Sequence, residues 1–91
     1  MDEDQRRETE VQLEIWGAQI DRWAVDLATV DREVRFAALQ HLDELKILHA
    51  TARATFASLT AAAAGEQADL ERDFTEAWNE LAAAVGKALP R

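Results

Sequence analysis

The chain has 91 residues, 48% of them hydrophobic, with 18 acidic against 10 basic side chains, a net charge of −8 and no cysteine. That is the size of one small domain, 1–91, and 19 of its hydrophobic residues are alanine, which leaves little bulk for a deep enclosed pocket. Without cysteine the chain has no disulfide framework, thiolate nucleophile, iron–sulfur cluster or cysteine-ligated zinc.

Lys and Arg are scattered, so nucleic-acid binding driven by counterion release is not expected. Acidic polar faces would be repelled by anionic lipid, which argues against a membrane-surface role. The opening Met1-Asp2-Glu3-Asp4 is the opposite of a basic leader, and no apolar run approaches the roughly 18 to 20 residues needed to span a bilayer. These features predict a cytoplasmic protein.

In chain order, good helix formers run with little interruption, which predicts an all-α fold. Thr9 and Gln12 have capping-box spacing, while Asp2, Glu3 and Asp4 could open the helix earlier through its dipole, so the first helix is expected to begin between residues 4 and 9. Leu13, Trp16, Ile20, Trp23, Leu27, Val30 and Val34 then follow at spacings of 3, 4, 3, 4, 3 and 4, a heptad seam of coiled-coil type. The seam continues through Ala38, Leu42, Leu45, His49, Ala52, Phe56 and Leu59 after one stutter. Phe36 and Leu39 widen the apolar surface at the stutter. One helix over about 5–62 is the expectation.

Gly65 is the only mid-chain glycine and is expected to take the left-handed position of a turn at about 62–66. Leu70, Phe74, Trp78, Leu81 and Val85 then mark a second helix over about 66–89. At 1.5 Å per residue the first arm would be roughly 80 Å long and the second roughly 35 Å. The short arm can cover the half containing Leu42, Leu45, His49, Phe56 and Leu59, a hairpin core completed by Leu70, Phe74, Trp78, Leu81 and Val85. The seam from Leu13 to Val34 would stay bare in a monomer, so a homodimer is expected. Its interface would comprise Leu13, Trp16, Gly17, Ile20, Trp23, Leu27, Val30, Val34, Phe36 and Leu39. An antiparallel arrangement crossing near residue 34 is favoured, with Gly17 making room for a partner's ring.

The segments Leu13-Glu14-Ile15-Trp16-Gly17-Ala18-Gln19-Ile20-Asp21 and Phe74-Thr75-Glu76-Ala77-Trp78-Asn79-Glu80-Leu81, with the Gly65 turn between them, resemble a group of small uncharacterised bacterial coiled-coil helical-hairpin proteins. The resemblance implies an elongated helical hairpin, with no activity and no catalytic residues to carry over. Gly17 within the first segment and the scarcity of lysine depart from that pattern.

His41, Glu44 and His49 lie within nine residues, but His41 and His49 differ by about 80° around a helix and neither stands in a Glu-x-x-His pair. No metal, cofactor or catalytic residue is expected. The sequence reads as a non-enzymatic structural or protein-interaction module, with an acidic regulator or inhibitor of a basic partner protein as the alternative and a metal-binding bundle as the second.

Overall fold

In the computed structural model, which describes residues 2–88, the chain forms three helices: α1 (Glu3–Leu27), α2 (Arg32–Ala61) and α3 (Gln67–Ala88). They pack side by side with α1 and α3 both against α2, in a body measuring 51 × 21 × 17 Å. No strand occurs among the described residues.

The capping box lies at Asp2 and Gln5, not at Thr9 and Gln12. The Gln5 N–H donates to Asp2 Oδ1 at 2.8 Å, and the Asp2 N–H donates back to Gln5 Oε1 at 3.3 Å. Glu3 and Asp4 add negative charge at the positive end of the dipole. Thr9 sits inside α1, its hydroxyl donating to the Gln5 carbonyl at 2.8 Å.

The expected helix over about 5–62 is in fact two helices, reversed at residues 28–31. The last turn of α1 tightens through i→i+3 bonds: the Thr29 N–H donates to Asp26 O at 3.1 Å and the Val30 N–H to Leu27 O at 3.3 Å. α1 has no basic residue in its last turn. Arg35 supplies one from the start of α2, its guanidinium donating to Val30 O at 2.8 Å and Ala28 O at 3.4 Å. A cation thus meets the negative end of the α1 dipole and satisfies carbonyls that the helix leaves open.

Magnitudes explain why the chain folds back without a glycine or proline to make it do so. Starting a new helix costs about 4 kcal/mol, the equivalent of a nucleation constant near 10⁻³. Burying one Leu or Ile side chain contributes about 1.5–3 kcal/mol. Folding α1 onto α2 buries Leu13, Ile20 and Leu27 to 5% exposure or less, which outweighs the break.

The seam expected to face a partner chain is therefore covered from within. Besides those three residues, Trp16, Trp23 and Val30 are half-buried against the same core, and Gly17 is half-buried beneath α2. Only Val34, Phe36 and Leu39 of that set are exposed, at 58%, 70% and 39%. The bare-seam argument for a dimer, and the crossing of two long helices near residue 34, lapse with the unbroken helix.

The other core set lies largely as expected. Leu42, Leu45, Leu59, Phe74 and Leu81 are buried, while His49, Phe56, Leu70, Trp78 and Val85 are half-buried. Aromatic rings tie the three helices together: Trp16 meets Trp78 at 4.7 Å between centroids, Trp78 meets Phe74 edge-on at 5.6 Å, and Phe74 meets Phe56 at 5.6 Å.

The second reversal, after Ala61, departs from expectation in its chemistry. Ala62 is extended at φ −76°, ψ 147°, and the Glu66 N–H closes a turn onto Ala63 O at 2.9 Å. Gly65 has no positive φ, and a Cβ added there would meet nothing within 4 Å. The turn does not depend on glycine. Residues 89–91, where the expected second helix would end at about 89, lie outside the described residues.

Two outcomes check this account by urea denaturation. Arg35→Ala should lower stability by about 1.5–3 kcal/mol, the usual cost of losing hydrogen bonds to a charged group. Leu45→Ala, at 1% exposure, should cost about 2–5 kcal/mol, whereas Phe36→Ala at 70% exposure should change stability by less than about 0.5 kcal/mol.

Candidate functional site: the α1–α2 groove

α1 and α2 meet at one polar contact within an apolar interface. His49 Nε2 lies 2.7 Å from the Leu13 carbonyl oxygen, so Nε2 carries the proton and donates it. The ring can lie that close to the α1 backbone because the facing residue, one turn on, is Gly17. A Cβ at that position would stand 3.0 Å from His49 Cε1 and 3.1 Å from Nε2. Gly17 therefore makes room for a ring of its own chain, not for a partner's.

This close approach forms the floor of a long groove on the side of α1 and α2 away from α3. Leu13, Gly17, Ala18, His49 and Ala57 line its base. Its rims differ in sign. α1 contributes Glu10, Glu14 and Asp21, spaced by 4 and 7 residues along one flank, and α2 contributes Lys46 and Arg53, spaced by 7. No ion pair or hydrogen bond joins any of these five side chains to another described residue.

The asymmetry extends along the whole helices. α1 carries seven acidic and three basic residues and α3 five and two, whereas α2 carries three acidic and four basic. An acidic helix thus lies beside a basic one across a floor of small side chains. The surface is a shaped track with its two signs of charge on opposite sides.

A second groove, where the ends of α1 and α3 meet the start of α2, contains Trp23, Val34, Ala38, Leu48 and Ala84, with His41, Glu44, Glu80 and Lys87 around it. His41 and Glu44 belong to this groove and His49 to the first, so the fold separates the two histidines. Among the described residues no group of three or more His, Asp or Glu side chains is placed to hold a metal. No helix among them is long and apolar enough to cross a membrane.

The chain matches no family model, curated protein or solved structure. Its functional reading rests on this geometry.

Sequence reasoning singled out Gly17 and His49 but missed the rims. The available signal was a like-charged flank at i, i+4 and i+11 on α1 facing two cations seven residues apart on α2, and it becomes visible only once the helices fold back on each other.

Substitutions of glycine separate packing from propensity. Gly86→Ala, in open space within α3, should stabilise the protein by about 0.5–1 kcal/mol through helix propensity. Gly17→Ala should show no such gain, because the added methyl displaces His49 from the Leu13 carbonyl. In a His49→Ala background the gain should reappear, and a thermal-denaturation double-mutant cycle reads that coupling.

Proposed function

We propose that the protein is a non-enzymatic interaction module, a small three-helix bundle that presents the α1–α2 face to a helical partner. The observation that carries this reading is the set of five unpaired rim charges, sorted by sign across a small-residue floor. Like charges at i, i+4 are unfavourable in an isolated helix by about 0.2–0.5 kcal/mol, so the run of Glu10 and Glu14 costs the free chain something. A helical surface with basic residues facing α1 and acidic residues facing α2 would relieve that cost and cover Gly17, Ala18 and Ala57.

The test uses a photoreactive phenylalanine analogue at Ala57, in the groove, and at Asn79, exposed on α3, each in the full chain inside cells. Position 57 should give an adduct of discrete mass that is lost when Lys46→Glu and Arg53→Glu are added. Position 79 should give none. Absence of any discrete adduct at position 57, or adducts indifferent to the rim charges, would overturn the reading.

A further inference from the structure

We infer that the groove's partner is a second copy of this chain, joined about a two-fold axis that runs parallel to the helices; this rests on the interaction reading above. The groove carries both signs of charge, acidic on α1 and basic on α2, and the two helices are antiparallel. A two-fold axis lying in the face and along the helices stacks the partner's α1 on α2, and α2 on the partner's α1, so opposite signs meet on both sides. An axis in the same face but across the helices would set acidic on acidic and basic on basic. Charge alone selects the first.

The register agrees. The bond from His49 to Leu13 sets the heights of the two helices, and an axis along them preserves height. Counting along the antiparallel helices from that bond places Glu10 within one residue of Arg53 and Glu14 within two of Lys46. The partner's Glu10 and Glu14 then stand over Arg53 and Lys46.

Further along, Val25 follows Glu14 and Ala18 on one face of α1, at 11 and 7 residues, and Leu39 precedes Lys46 and Arg53 on one face of α2, at 7 and 14 residues. Val25 is 69% exposed and Leu39 39% exposed, and they stand within two residues of the same height. The same operation brings each onto the other across the interface, which covers apolar surface the free chain leaves open. Elsewhere on the same face Ala18 and Ala57 are exposed and small enough to let the helices approach.

The area is sufficient. The overlap of α1 and α2 is about 35 Å long and two helices, or about 20 Å, wide, a footprint on the order of 700 Å² per chain. Stable interfaces bury about 600–1,000 Å² per partner.

Charge exchange tests the arrangement. The substituted side chains are all exposed, so the fold should persist, as circular dichroism would show. Sedimentation velocity from 10 to 300 μM, at low salt, should report a dimer for the wild type. One variant carries Lys46→Glu and Arg53→Glu, the other Glu10→Lys and Glu14→Lys. Each alone should dimerise at least tenfold more weakly, because its two rims then share a sign. Their equimolar mixture should recover the dimer, since both contacts between unlike chains become complementary again.

A short bismaleimide should also link a Glu10→Cys chain to an Arg53→Cys chain in higher yield than it links two Glu10→Cys chains. A helical wild type that stays monomeric to 300 μM, variants that dimerise as tightly as the wild type, or a mixture that fails to recover would each overturn the second copy. If position 57 still captured a different protein in a rim-dependent way, the interaction reading would stand without the dimer. If it captured nothing, that reading would fall too.

Discussion

Reversal of the chain after Leu27 is the constraint on which the rest of the molecule depends. Left straight, residues 3–61 would be a rod with one apolar stripe and a single short helix to cover it. Folded back, the same stripe is divided into two halves that bury each other, and α3 closes the remaining side through Phe74, Ala77 and Leu81. The reversal also fixes the antiparallel register of α1 and α2, and so creates both grooves. What holds it is modest in number: three backbone bonds that tighten the end of α1 and a guanidinium reaching back from α2. The stability of the turn therefore comes mostly from the packing behind it, with Arg35 removing the penalty of leaving carbonyls open at the end of α1.

Within that frame the contact between Gly17 and His49 decides how closely α1 and α2 approach. A larger residue at 17 would push the imidazole away from the α1 backbone and widen the gap that the groove occupies. The hydrogen bond adds a specificity that apolar packing lacks. Leu and Ala stripes slide past one another at little cost, whereas a donor aimed at one carbonyl selects one height. The groove's rim charges are aligned by that choice, although none of them touches the histidine through any described hydrogen bond.

Much of this was legible in the sequence, and the failures have specific physical causes. Helix content followed from the abundance of Ala, Leu, Glu and Arg, and the core positions from spacings of three and four, which is why Leu42, Leu45, Leu59, Phe74 and Leu81 were found where expected. The break at residues 28–31 was not legible. Thr29 and Val30 are only mild helix breakers, Asp31 makes no side-chain cap, and the cost of the break is met by contacts between residues far apart in sequence. A heptad seam also has no way of stating whether its cover is another chain or the same one returning. At Gly65 the difference runs the other way: glycine is capable of a left-handed turn without requiring one, and the chain turns there with ordinary backbone angles. The groove was invisible because its rims come from two helices whose proximity depends on that unforeseen reversal.

The distribution of charge gives the fold and its surface a common logic. α2 is the one helix with more basic than acidic residues, and it packs against both acidic helices, so the long-range field favours this order within the chain. The same order leaves one face where α1 and α2 lie side by side with their signs separated. A face of one sign would call for a partner of the other sign and could never close on itself. A face with both signs, related by a two-fold axis, can close on itself, with Glu10 and Glu14 of each copy over Arg53 and Lys46 of the other. In the pair inferred above, a net charge of −8 per copy would oppose the addition of further chains through unscreened repulsion.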